Sequence, residues 1–249
     1  MSEPSFRNTM TTPVLVLLSV TWLVRGQPTQ DAQSEAFRFL DIRLSPIVEL
    51  HHEIRSRADS TEQPRDESAL LAPAVDLARR LASDLRSALN WGVLEGRLLD
   101  CESASDLARE FDRAPERFLV FGRDGTRAEL PLRERANELA SAMEALWPTW
   151  LENTWPARAG VLEPLCGQMN SAFRAERGRL VWEALCRHLV IEIDPPVVPV
   201  YLTTDGPFPG AVTHRAEEGA VCFVSIRDVS GSLLQESILH EALHAIDMA

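Results

Sequence analysis

The stretch LLQESILHEALHAIDMA, Leu233–Ala249, constrains the fold of this chain more than any other. An α-helix advances about 100° per residue. At that pitch Ile238, Leu239, Ala242, Leu243 and Ile246 clothe one side, while Glu236, His240, His244 and Asp247 form a stripe on the other. A helix apolar over most of its circumference has to be covered by a further layer. The spacing therefore predicts a buried helix with one polar stripe, opened by Ser232. Material for the covering layer lies just ahead, in a segment rich in Val, Pro and Gly that begins at Glu192. Within it PVVPVYLT (Pro196–Thr203) and GAVCFVSI (Gly219–Ile226) read as strands.

Upstream, from Gln27 to about Ile191, the pattern is mostly helical. Ser45-Pro46 reads as an N-cap followed by Pro at the first helical position. Ile47, Leu50, His51 and Ile54 then share one face. The polar, Pro-interrupted run Ser56–Ser68 reads as a loop. Val75, Leu77, Leu81, Leu85 and Leu89 mark the next helix, with Gly92 and Gly96 at its far end. Arg117–Leu132 differs: two short β-prone runs flank Asp124-Gly125, which signals a hairpin. It has neither the glycine spacing nor the Lys of a phosphate loop. Helix returns over Arg133–Trp147. Trp147, Trp150, Trp155 and Trp182, with Pro148 and Pro156 nearby, are expected to pack helix corners.

These elements predict an α+β, mainly helical chain. Its expected divisions are a leader over 1–26, a helical domain over 27–191 with the hairpin near 117–132, and a strand-plus-helix segment over 192–249. The leader rests on Pro13–Val24, an apolar run after Arg7 that is shorter than the roughly 20 residues needed to cross a bilayer. Such a run fits a secretory signal peptide, with Val24 and Gly26 before the cleavage point, and export to a periplasmic or extracellular location. The four cysteines, Cys101, Cys166, Cys186 and Cys222, show no CxxC spacing, so a thiolate zinc site is not indicated. Cys166 and Cys186 are the pair expected if an exported chain forms a disulfide; buried free thiols are the alternative. A formal charge of −12 excludes an ordinary nucleic-acid binder and disfavours anionic membranes. All 25 cationic side chains are Arg, which reads as coding bias.

The polar stripe carries chemistry. His240 and His244 stand one turn apart, where two imidazoles reach one metal ion. Glu241 lies beside them, within reach of a water on that ion. Zn²⁺ on two His and a third ligand lowers the pKa of its water to about 7. Glu241 is placed to take that proton as general base and to deliver it to a leaving amine.

HEALHAID resembles the active-site helix of the zincin metallopeptidases, and its His-Ala-Ile-Asp ending is similar to secreted bacterial members. The resemblance covers about Pro196–Ala249, and only the motif in it is specific. It implies a Zn²⁺ cofactor, a peptide or protein substrate, and a substrate that adds itself as a strand beside Gly219–Ile226. One departure stands out. Gluzincins draw their third ligand, a Glu, from a further helix, and metzincins extend to a third His, whereas this sequence has Asp247 and then Met248-Ala249. Three sources of the third ligand stay open: Asp247, which in the gluzincin pattern is more often the partner that orients a His; an upstream group, Glu236, His214 or Asp205; or residues beyond a truncated end, which is the favoured reading.

The other histidines carry structural readings first. His51 is expected in the core and His52 in solvent, since adjacent residues face different ways. His188 is expected in the core or at a helix end. His214 is expected in a loop, at the surface, with donation to an oxyanion as the sharper reading. The function expected is zinc-dependent peptide-bond hydrolysis, with no nucleic-acid partner. The alternative is a non-catalytic exported binding or structural protein with an incomplete peptidase segment.

Overall fold

The computed structural model describes residues 39–248, apart from 61–68, 86–87, 100, 122–125, 190–196, 207–209, 217–218, 228 and 230. The apolar run Pro13–Val24 lies outside the described residues. Residues from Ala32 onward form one unit.

The chain is α+β and mainly helical. β1 (Leu40–Arg43) leads into α1 (Pro46–Asp59), α2 (Ala72–Leu85), a short α3 (Gly92–Glu95) and α4 (Ala104–Arg113). The hairpin β2 (Phe118–Phe121) and β3 (Arg127–Leu130) follows, then α5 (Arg133–Asn153), α6 (Trp155–Arg174) and α7 (Glu176–Leu189). β4 (Val198–Thr203), β5 (Ala211–Arg215), β6 (Ala220–Ser225) and α8 (Ser232–Met248) complete it. The main sheet has the order β1-β4-β6-β5. β1, β4 and β6 run parallel, and β5 runs antiparallel to β6 along the edge. The sheet thus takes its far strand from residue 40 and crosses the 191/192 division expected from composition.

Strand alternation sorts the core into two layers. Tyr201, Val221 and Phe223 face the helices α1 to α5. Val200, Leu202, Cys222 and Val224 face α6, α7 and α8. Successive side chains of a strand point to opposite faces, so the sheet is packed on both sides. That is why β4 and β6 read as unbroken apolar runs rather than alternating ones.

Local signals set several boundaries. Ser45 caps α1, accepting from Val48 N–H, with Pro46 in the first turn. The helix then runs on to Asp59, past the expected loop start at Ser56. α5 continues beyond Trp147 through Pro148 to Asn153. Trp150, one turn on, is 1% exposed and donates its indole N–H to Glu53 at 2.9 Å, and this burial outweighs the backbone bond that Pro148 lacks. Trp150 and Trp182 are fully buried, as helix-packing residues should be. The expected Cys166–Cys186 disulfide is not formed; all four thiols are free. Cys166 instead donates toward the Ile42 carbonyl, which ties α6 to β1.

Gly92 and Gly96 do more than end a helix. α2 stops at Leu85, and the two glycines let α3 and the turn after it lie directly on β5. A methyl at Gly92 would press on the His214 ring, and one at Gly96 would overlap the Arg215 carbonyl oxygen. The second obstacle is backbone and cannot swing aside. Gly96→Ala is expected to cost about 1–3 kcal/mol, seen as a lower urea midpoint; an unchanged midpoint would mean that this contact is loose.

Candidate functional site

α8 packs on β5 and β6. Leu234, Ile238, Ala242 and Ala245 face the sheet and are buried, whereas Glu236, His240, His244 and Asp247 are exposed. The expected buried helix with one polar stripe is corrected in part: the stripe lies at the surface, because among the described residues only one side of the helix meets a covering layer. Glu241 lies on the sheet side of that boundary and is 8% exposed.

The His240 and His244 rings meet edge-on, with centroids 4.6 Å apart and planes at 85°. Their Nε2 atoms converge to 3.0 Å. Two imidazole nitrogens on a tetrahedral zinc, each at about 2.0–2.1 Å, stand roughly 3.3 Å apart. The pair is thus set close to the spacing of two ligands on one ion. The same distance also suits a hydrogen bond from one neutral imidazole N–H to the other ring's lone pair.

Glu241 is held from the sheet. The Thr213 hydroxyl on β5 lies 2.6 Å from Glu241 Oε2 and 3.0 Å from the Glu241 carbonyl oxygen. Cys222 Sγ, across the ladder on β6, lies 3.3 Å from the same hydroxyl. Burial pushes the Cys222 thiol up to about 12, so it remains an S–H group at ordinary pH.

The other candidate ligands are elsewhere. Among the described residues no group of three or more His, Cys, Asp or Glu side chains is placed to hold a metal. Asp247 and Glu236 stay on the exposed stripe of α8. Asp205 sits 3.5 Å from both Arg158 and Arg227. His214 belongs to β5 rather than to a loop, is 5% exposed and faces the opposite side of the sheet from Glu241. The surface reading of His214 is overturned because the Gly92 helix covers it. His188 is exposed in the last turn of α7.

Behind the sheet lies a buried charge centre built from residues far apart in the sequence. Glu95, fully buried, receives the guanidinium of Arg55, which is itself fully buried. His214 Nε2 lies 2.7 Å from Glu95 Oε2, within ion-pair range. His51 Nε2 and His52 Nε2 stand 3.3 and 3.7 Å from Glu95 Oε1. His52 is 1% exposed, which corrects its expected place in solvent. Burial holds its pKa down to about 3, against the pull of Glu95. Burial pushes Glu95 up, but Arg55 and the imidazoles of His214 and His51 overcome it and hold the carboxyl well below the usual range.

A second network joins α6 to α1. Arg158 pairs with Glu49 and, at 3.0 Å, with Glu53. Thr204 N–H, at the end of β4, donates to Glu49 at 3.0 Å. These bonds tie α6 and α1 to the end of β4.

Compared with protein-family models, curated proteins and solved structures, the chain shows no significant match.

Proposed function

We propose that the chain is a zinc-dependent peptidase of the zincin kind, exported to a periplasmic or extracellular location. The observation that carries this reading is the convergence of His240 and His244 Nε2 to 3.0 Å, beside a buried carboxylate on the same helix. The two imidazoles suit zinc in donor type and in spacing. The third donor in this reading is Asp247, on the same exposed stripe. Zinc held there would supply a water of lowered pKa and polarise the scissile carbonyl.

The remaining work falls to the chain. Glu241 accepts the proton of the attacking water and returns it to the leaving amine. Thr213 occupies Oε2, which leaves Oε1 as the basic oxygen. A peptide that docks as an added strand needs a sheet edge. β6, the strand expected to receive it, is paired on both sides, with β4 and with β5. The receiving strand in this proposal is therefore β5. Ser225 N–H donates to Gly210, and Ala216 N–H donates to Gly219. By alternation, the backbone groups of Ala211 and Thr213 point away from β6, toward the edge.

Zinc stoichiometry tests the reading. The purified chain is expected to hold about one zinc and to lose it in His240→Ala. Glu241→Gln should keep the metal and cleave a mixed peptide pool 100- to 10,000-fold more slowly, roughly the span of general-base catalysis. A folded chain without zinc, or full cleavage by Glu241→Gln, would sink it. The exposed His pair and its hydrogen-bond distance favour a second reading, a non-catalytic binding protein, which the zinc-free outcome would support.

A further inference from the structure

We infer that Thr213 is the positioning residue for Glu241, and that it couples seating of the peptide to orientation of the base. The inference rests on the peptidase reading and adds to it a residue outside the motif.

Proton counting gives the direction of each bond. A Thr hydroxyl carries one proton and two lone pairs. Two acceptors on Glu241 compete for that proton, the carboxylate at 2.6 Å and the carbonyl at 3.0 Å. The carboxylate is nearer, and a bond to an ionised acceptor is roughly twice as strong as a neutral one. With its proton committed to Glu241, the hydroxyl can only accept from Cys222. The order is then Cys222 S–H to Thr213 Oγ1, and Thr213 O–H to Glu241 Oε2. Thr213 is 9% exposed, Cys222 is fully buried and Glu241 is 8% exposed, so little water competes for these positions.

A carboxylate on a three-bond stem has several rotamers. Among the described residues, the Thr213 hydroxyl of β5 is the donor that meets the Glu241 carboxylate. The bond selects one rotamer and leaves Oε1 directed elsewhere. The same residue contributes its backbone to the outer edge of β5, since the ladder alternates there. A peptide added to that edge pairs with the Thr213 main chain while the Thr213 side chain holds the base. Substrate register and base orientation are thus set by one residue on one strand. No step here transfers a group; the proton moved in catalysis is the one that Oε1 takes and returns.

The test uses the full chain and two variants, Thr213→Val and Thr213→Ser. Val keeps the shape and the strand preference, and Ser keeps the hydroxyl. The first readout needs no metal and no turnover. In metal-free chain labelled with ¹³C-glutamate, the Glu241 carboxylate band is isolated by subtracting the Glu241→Gln spectrum. Thr213→Val is expected to move that band and Thr213→Ser to leave it in place. The second readout is cleavage of a quenched fluorogenic peptide pool with zinc chloride present. Thr213→Val is expected to lower kcat about 10- to 100-fold with KM within about twofold, because backbone pairing remains; Ser should restore most of the loss. An unmoved band, or an unchanged kcat in Thr213→Val, would overturn the inference. A moved band in a chain that cleaves nothing at any zinc level would show that the Thr213–Glu241 bond exists but that the peptidase reading has failed, and the positioning role fails with it.

Discussion

Glu95→Ala is expected to lower the unfolding free energy by about 3–5 kcal/mol, the loss usual when one partner of a buried ion pair is removed. Arg55 would remain fully buried with its nearer carboxylate gone and Asp59 left 3.8 Å away. His51, His52 and His214, now gathered round that carboxylate, would face a cation instead. Domains are stable by roughly 5–15 kcal/mol in total, so the variant should unfold at a much lower urea concentration. Replacing Glu95 and Arg55 together by Leu and Met is expected to recover much of the loss, since apolar isosteres avoid the desolvation of both charges. A Glu95→Ala chain with the parent midpoint would show that Glu95 is not what neutralises Arg55.

Acid should act on the same centre. His52 has a folded pKa of about 3 against an ordinary 6.5. Between those values the unfolded chain takes up a proton that the folded chain refuses. Stability is therefore complete above about pH 6.5 and declines as pH falls toward 3. The difference of 3.5, at about 1.4 kcal/mol per pH unit, sets the full loss at about 5 kcal/mol. Glu95 adds to it in the same direction. Its folded pKa lies well below 4.5, so its contribution is complete above 4.5 and is lost as pH falls through the folded value. Urea midpoints measured from pH 7 to pH 4 should fall steadily, and His52→Gln should flatten the upper part of that decline. A parent curve flat over this range would mean that His52 is protonated within the fold.

The local features were legible because local chemistry decides them. Ser45-Pro46 fixes the start of α1, the two β-prone runs around Asp124-Gly125 make the β2–β3 hairpin, and the apolar runs in 196–226 make β4 and β6. β1 was hidden in a helical stretch, since four residues, LDIR, carry too little pattern and owe their extended form to pairing with β4. β5 reads as a loop in the sequence because AVTHR is half polar. Of its polar residues, Thr213 is buried with a hydrogen bond to Glu241, and His214 is buried beside Glu95. The histidine pair of α8 could be found from spacing alone, and its exposure could not, because what covers a helix depends on other elements. Arg55 and Glu95 are 40 residues apart in sequence, and nothing local marks either as a core residue. His51-His52 offered a hint, but a rule about adjacent residues on a helix does not say that both faces will be covered.

The pairing of Leu40 with Val198 has a consequence for how the molecule is made. More than half of the chain separates these partners, so closing that loop costs entropy before any sheet contact rewards it. During synthesis β1 must wait, without its neighbour, while α1 to α7 emerge and collapse. The helical layer, with its imidazoles and Arg55, therefore has to accept a sheet that arrives late, and β4, β5 and β6 assemble onto a surface already present. Glu241 meets Thr213 only after that late assembly, so the contact between α8 and β5 is among the last of the described fold to be set in place.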